Sequence, residues 1–339
     1  MIEIENRIET WSLAVPFRIT DQVFHEIEVV VTIVRDGGLE GRGEAAGVDY
    51  LGETPASIIK QIEGVKDALR EPDRAMLQCL LPPGGARNAL DCAFWELEAA
   101  RSGQPAWRLA GLTAIEPRVT TYTIGAAAPA IMAERAVAFS GARALKLKLI
   151  GDGEDAERVA AVRAARPDVW LGVDANQGFS TSSLEQLMPD FLRARVALIE
   201  QPLPVDLDWQ LESFISPIPL AADESVQGMA SLERLPKAFS VINIKLDKCG
   251  GLTEALAMAR AARGLGFKVM VGNMLGTSLA MAPAFLVGQL CEIVDLDGPV
   301  LLQHDRDPGA LYRDGEIWCS NEVWGAGEAR HGSAAFGTA

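Results

Sequence analysis

The sequence predicts an α/β protein: a modified (β/α)8 barrel with an N-terminal α+β capping domain that the C-terminal segment completes. Three observations carry this. Short apolar runs recur from Val119 onward, each followed by an amphipathic stretch rich in Ala, Leu, Arg and Glu, such as residues 154–165 or 253–264. Runs that are apolar throughout read as strands buried on both faces, as in a parallel sheet. Polar groups close successive runs, with steps of 26, 26, 23 and 22 residues from Lys148 to Asp174, Glu200, Asp223 and Lys245. That is the period of one strand, one helix and two turns, and a barrel carries its site at the carboxyl ends of its strands. The competing open doubly wound sheet wants a glycine-rich dinucleotide turn after its first strand, and the chain has none there.

Taken in order, residues 2–13 and 27–34 alternate or are β-branched, and GGLEGRGEA after them supplies a turn, so the chain opens as an antiparallel meander. Helices follow. In the clearest, residues 88–101, Leu90, Ala93, Phe94 and Leu97 fall at i, i+3, i+4 and i+7. Glycines 84 and 85 and the segment 103–105 punctuate its ends. The barrel strands are expected at residues 119–124, 144–150, 169–175, 197–200, 219–223, 241–246, 268–271 and 292–296. This gives a capping domain over residues 1–114 and a barrel over 115–306. Residues 307–339 return to the capping domain, add a strand to it and end in a loose tail.

The 339 residues carry a formal net charge of −15. That balance excludes a nucleic-acid or anionic-membrane surface, which needs clustered Lys and Arg. The five cysteines are scattered with no CxxC spacing, the pattern of reduced thiols rather than of a disulfide framework or zinc site. No apolar run approaches the roughly 20 residues of a membrane span, and the start does not read as a leader. A cytoplasmic protein is expected.

Asp174, Glu200 and Asp223 each close an apolar run, where an unpaired carboxylate is costly. One such acid alone would pair with a lysine. Three converging at one rim make a hard oxygen site suited to Mg2+, and the lack of His or Cys among them disfavours zinc. Lys146 and Lys148 lie two apart on one strand and share a face. Lys245 lies across the barrel. Two amines on opposite sides of a bound substrate can take a proton from one face and return it to the other, provided that at least one has a pKa lowered toward neutrality. Lys248 reads as a surface lysine.

Together Lys-x-Lys, DANQ, EQP, ADES and IKLDKxGG resemble the enolase superfamily in its muconate-lactonising subgroup. The likeness covers nearly the whole chain, including GARNALDCAFWELEAA of the capping domain. It implies one Mg2+ per active site on Asp174, Glu200 and Asp223, with Lys148 and Lys245 as the acid/base pair. Lys146 would help hold a substrate carboxylate, and subunits would assemble as homo-oligomers. The superfamily uses a Lys or His base with Mg2+ to stabilise an enediolate.

Asp295 and Asp297, two apart in EIVDLDGP, would repel an acid and clasp an ammonium group. The pair resembles the dipeptide epimerase signature, in which it holds the peptide's N-terminal amine, and Thr123 in YTIG matches a substrate-contacting threonine of those enzymes. Relatives acting on Ala-Glu place an arginine in the loop after PF. Here that loop runs PFRITDQVFHE, with Asp21 and Gln22 near the place and Arg18 as the available substitute. Asp21, Glu26 and Glu28 disfavour an acidic side chain. Asn273 in VGNML stands where a small residue or cysteine is usual. The expectation is a Mg2+-dependent dipeptide epimerase of the L-Ala-D/L-Glu type, its side-chain preference open. The alternatives are an N-acylamino acid racemase, an o-succinylbenzoate synthase-type lyase and, more remotely, a non-catalytic peptide-binding barrel.

Overall fold

The computed structural model describes residues 2–19 and 22–327. Asp21, the side chain of Gln22 and the tail expected to be loose (residues 328–339) lie outside the described residues. The N-terminal meander is β1 (Glu3–Ile19), β2 (Gln22–Asp36) and β3 (Leu39–Ala45), antiparallel in the order β1-β2-β3. Strand β2 is apolar on both faces because it serves two cores. Val30 and Val34 pack with the capping helices, while Val29, Val31 and Ile33 join the core continuous with the barrel.

GGLEGRGEA does more than turn. Only Gly37 and Gly38 form the turn, at φ 58° and 84°, and the rest is β3. Gly41 and Gly43 instead admit close helix packing: a Cβ on either would stand 2.1 Å from the Ala93 carbonyl oxygen or 2.0 Å from that of Ala89. Three helices complete this module: α1 (Pro55–Val65), α2 (Arg74–Leu80) and α3 (Gly85–Ser102). A capping box at Thr54 and Ser57 starts α1, and the Asp73 carboxylate caps α2.

Residues 119–124, expected as one strand, divide at Thr120 into β4 (Arg118–Val119) and β5 (Thr121–Ile124). The barrel strands then follow as β6 (Ala144–Lys148), β7 (Trp170–Asp174), β8 (Leu198–Glu200), β9 (Leu220–Ala222), β10 (Phe239–Ile244), β11 (Lys268–Val271) and β12 (Ile293–Val294). With β5 they form one parallel sheet of eight strands in sequential order. Among the described residues no ladder joins β12 back to β5. Side chains bridge that seam: Thr121 Oγ1 donates to Asp295, the Thr123 N–H to Asp297 Oδ2, and the Leu296 N–H to Thr120 Oγ1 at 2.9 Å.

The C-terminal segment corrects one expectation. Its strands β13 (Leu311–Arg313) and β14 (Glu316–Trp318) pair with β4 rather than with the N-terminal meander. Contact with the capping module comes further on, where Trp324 Nε1 donates to the Arg42 carbonyl and the Gly325 N–H to Glu96. No helix among the described residues is long and apolar enough to cross a membrane.

Candidate active site

Strand register sets the site. Lys148 stands beside Asp174, and Asp174 beside Glu200, at the carboxyl ends of β6, β7 and β8. Asp223 directly follows β9, and Lys245 directly follows β10. One oxygen from each of Asp174, Glu200 and Asp223 can be chosen so that all lie within 4.8 Å of one another. Lys148 Nζ donates to Asp174 Oδ2 at 2.6 Å, and Lys245 Nζ to Asp223 Oδ2 at 2.7 Å. Lys146 Nζ pairs with Asp295 and lies 3.4 Å from Glu200 Oε2 and 3.7 Å from Asp174 Oδ2.

All the chemistry is buried, and the charges do not balance. Asp174, Glu200, Asp223, Glu224, Asp295 and Asp297 face Lys146, Lys148, Lys245 and Lys248. Fully ionised, this cluster would carry two surplus negative charges, which is the charge of one divalent cation. Burial and crowding oppose ionisation of two of the carboxyls. Burial, and then Asp174, raise Glu200 to about 8; burial, and then Asp223, raise Glu224 to about 7. Glu200 Oε2 is moreover buried with no hydrogen-bond partner. A buried carboxylate oxygen with no hydrogen-bond donor, a hard three-acid donor set and a surplus of negative charge together fit Mg2+.

Lys146 and Lys245 lean the other way from the lowered pKa that a base wants. Burial opposes their charge, but Asp295, Glu200 and Asp174 hold Lys146 well above its ordinary value. Asp223 and Glu200 do the same for Lys245 against its burial. Asp223 stays ionised despite burial because Lys245 and Lys248 both reach it.

Lys248 corrects the reading of it as a surface group. It is buried, and its Nζ donates to Asp223 Oδ1, to the Asp223 carbonyl and, at 3.0 Å, to the Asn243 carbonyl. A short helical turn (Leu246–Cys249) follows Lys245 and swings Lys248 back over the barrel end. Its sign in the sequence is the spacing: three residues on from Lys245, one helical turn. Asn243 carries a plainer sign, an amide inside an apolar strand two residues before Lys245. Its Nδ2 donates to Glu200 Oε1 at 2.6 Å, fixing that carboxylate. Gln201 ties neighbouring strand ends, its Oε1 accepting from the Asp223 N–H at 3.0 Å and the Ser225 N–H at 3.2 Å.

A cavity of about 270 Å3 opens above these groups, and Thr123, Lys146, Lys148, Lys245, Asn273, Asp295 and Asp297 line it. Asp295 is already engaged, by Lys146 and by Thr121. Asp297 Oδ2 accepts from the Thr123 N–H, and burial, then Asp295, raise the carboxyl to about 6. Asn273 Nδ2 donates to the Asp295 carbonyl at 2.6 Å, bracing the pair from behind. Arg18 is set apart from the other predicted site residues: its side chain is exposed and does not line the cavity.

Residues 1–111 match the mandelate racemase/muconate lactonizing enzyme N-terminal domain, and residues 130–321 the enolase C-terminal domain-like model. The chain is 41% identical over 315 residues to the L-Ala-D/L-Glu epimerase of Escherichia coli, covering 91% of this chain and 97% of that one. An enolase family member from Agrobacterium tumefaciens with homology to dipeptide epimerases, solved with sodium and L-Ala-L-Glu, superposes with a TM-score of 0.92 at 40% identity, covering 96% of this chain and 100% of that chain. The dipeptide epimerase of Methylococcus capsulatus, solved with Mg and L-Arg-D-Lys, gives a TM-score of 0.85 at 29% identity, covering 94% and 96%.

Proposed function

This chain belongs to the mandelate racemase/muconate lactonizing enzyme family, and on that premise we propose that it is a Mg2+-dependent dipeptide epimerase. It inverts the α-carbon of the C-terminal residue by a two-base 1,1-proton transfer through an enediolate. The observation that carries this is the placement of two ammonium groups, Lys148 and Lys245, four strands apart on one acid triad.

Asp174, Glu200 and Asp223 hold the Mg2+, which when bound supplies positive charge where a carboxylate gains electron density. Lys146, with its ammonium held protonated, stabilises the same developing charge. Lys148 and Lys245 flank the α-carbon, one removing its proton and the other delivering one to the opposite face. Lys245 pairs with Asp223, a residue that would also hold the cation, and sharing that carboxylate would weaken the pairing that keeps the Lys245 pKa high. Asp297, braced by the Thr123 N–H, takes the peptide's N-terminal ammonium together with Asp295, whose carbonyl accepts from Asn273. The five cysteines are all free, which supports a reducing, cytoplasmic setting.

Proton NMR in D2O with Mg2+ tests the proposal. Dipeptides should exchange the C-terminal α-proton and accumulate the L,D isomer. Asp297→Asn should raise KM for dipeptides far more than for N-acylamino acids, which lack the ammonium. Exchange on N-acyl substrates with silence on dipeptides would move the assignment to an N-acylamino acid racemase.

A further inference from the structure

We propose that Asp247 is a positioning residue: it ties the seat of Lys245 to the capping-module loop that walls the cavity, so that the capping module supports one base of the pair rather than both. The inference rests on the two-base reading and deepens it. Its starting point is that the two lysines are mounted differently. Lys148 stands inside its ladder, in register with Asp174, and the Leu149 N–H carries the ladder on by donating to the Asp174 carbonyl at 2.9 Å. The loop after it is braced by the barrel itself, with Asp155 accepting from the Gly151 N–H at 2.8 Å. Lys245 lies beyond its ladders, since β10 pairs with β11 as far as Ile244 and with β9 as far as Ile242. The helical turn Leu246–Cys249 follows, and the Lys245 carbonyl accepts from the Lys248 N–H at 3.0 Å and the Cys249 N–H at 3.1 Å. Lys245 therefore stands where that turn puts it.

The capping module grips this turn from two sides. Asp247 is 6% exposed, and its Oδ1 accepts from the Gly47 N–H at 2.9 Å, from a position 200 residues earlier in the chain. Arg87 of α3, also buried, donates through Nη2 to the Cys249 carbonyl at 2.6 Å and pairs with Glu254. One turn further along α3, Asp91 accepts from the Thr253 N–H at 2.8 Å and from Thr253 Oγ1 at 2.6 Å. Arg87 and Asp91 thus hold the far end of the segment, and Asp247 holds the end next to Lys245. Its donor belongs to the cavity wall. Gly47, at φ 80°, leads into the loop in which Asp49 and Tyr50 line the cavity. Glu53 stiffens that loop, accepting from the Val48 N–H at 2.9 Å and from the Gly85 N–H at the head of α3 at 3.1 Å. Removing the Asp247 carboxyl leaves the Gly47 N–H without its buried acceptor and frees the turn that seats Lys245. Lys148, mounted on the barrel alone, does not feel that loss.

The test follows α-proton exchange in D2O with the Mg2+-loaded enzyme, on an L,L-dipeptide and on its L,D isomer separately. The configuration that Lys245 serves is the one that Lys245→Ala loses. Asp247→Ala should slow exchange of that configuration about tenfold in kcat and of the other by less than about twofold, because a reacting group misplaced by about 1 Å loses rate steeply. Asp247→Asn keeps the Oδ1 acceptor for the Gly47 N–H and should recover most of the loss. Asp247→Glu moves the carboxyl by one methylene and should show the same one-sided loss, which keeps the test open where the alanine variant does not fold. Equal loss of both configurations, or loss of neither, overturns the positioning role alone. A wild type that exchanges no dipeptide removes the epimerase reading, and the two fall together.

Discussion

Removing Glu200's charge should flatten the pH dependence of stability in the metal-free protein. Glu200 is buried beside Asp174, and burial first, then that neighbour, raise its carboxyl to about 8 from an ordinary 4.5. A raised carboxyl binds its proton more tightly in the folded state. Its contribution to stability is therefore fully present below about pH 4.5 and is lost as pH rises through about 8. Between pH 6 and pH 9 the loss is about two pKa units, or about 3 kcal/mol. At 2–4 °C per kcal/mol that is a fall in Tm of about 6–12 °C. Calorimetry of wild type and Glu200→Gln in EDTA at pH 6 and pH 9 isolates this group from others that titrate in the range. The wild type should lose that much more than the variant, and saturating Mg2+ should abolish the difference by keeping the carboxylate ionised at both pH values. Parallel pH curves for the two proteins in EDTA would refute the reasoning.

Two further substitutions probe the framework. Lys248→Met strips the Asp223 carboxylate of one buried partner and removes a donor from the Asp223 and Asn243 carbonyls. Breaking a buried ion pair this way costs about 3–5 kcal/mol, so thermal melting should fall by about 6 °C or more, and a loss under 2 °C would return Lys248 to a marginal role. Gly43→Ala pushes a methyl to 2.0 Å from the Ala89 carbonyl oxygen. Strand β3 must then part from α3, and urea titration should show a loss of about 1–3 kcal/mol; an unchanged midpoint contradicts the close-packing account of GLEGRGEA's glycines.

Much of the site was legible because a barrel converts sequence period into spatial ring. Lys148, Asp174, Glu200, Asp223 and Lys245 recur at one strand–helix interval, and the register of β6, β7 and β8 then brings the first three side by side. What was not legible depends on contacts across that ring. Asp295 meets Thr121 and Lys146 from positions 174 and 149 residues away, and no local pattern announces it. The division at Thr120 arises because its hydroxyl accepts from the Leu296 N–H at the seam and its N–H donates to the Gly315 carbonyl. The hairpin β13–β14 pairs with β4 rather than the meander for the same reason: edge availability is a property of the assembled sheet. Lys248 was misread because side-chain alternation holds along a strand and fails where the chain turns helical one residue later.

The central claim is that two lysines on opposite sides of one carbon share the proton transfer. Single-turnover exchange in D2O with L,L- and L,D-dipeptides, on Lys148→Ala and Lys245→Ala, tests it most directly. Each variant should lose epimerisation by at least about a hundredfold, and each should keep α-proton exchange with only one configuration, the opposite one for each lysine. Retention of full turnover by either variant, or loss of exchange with the same configuration in both, would contradict the two-base account.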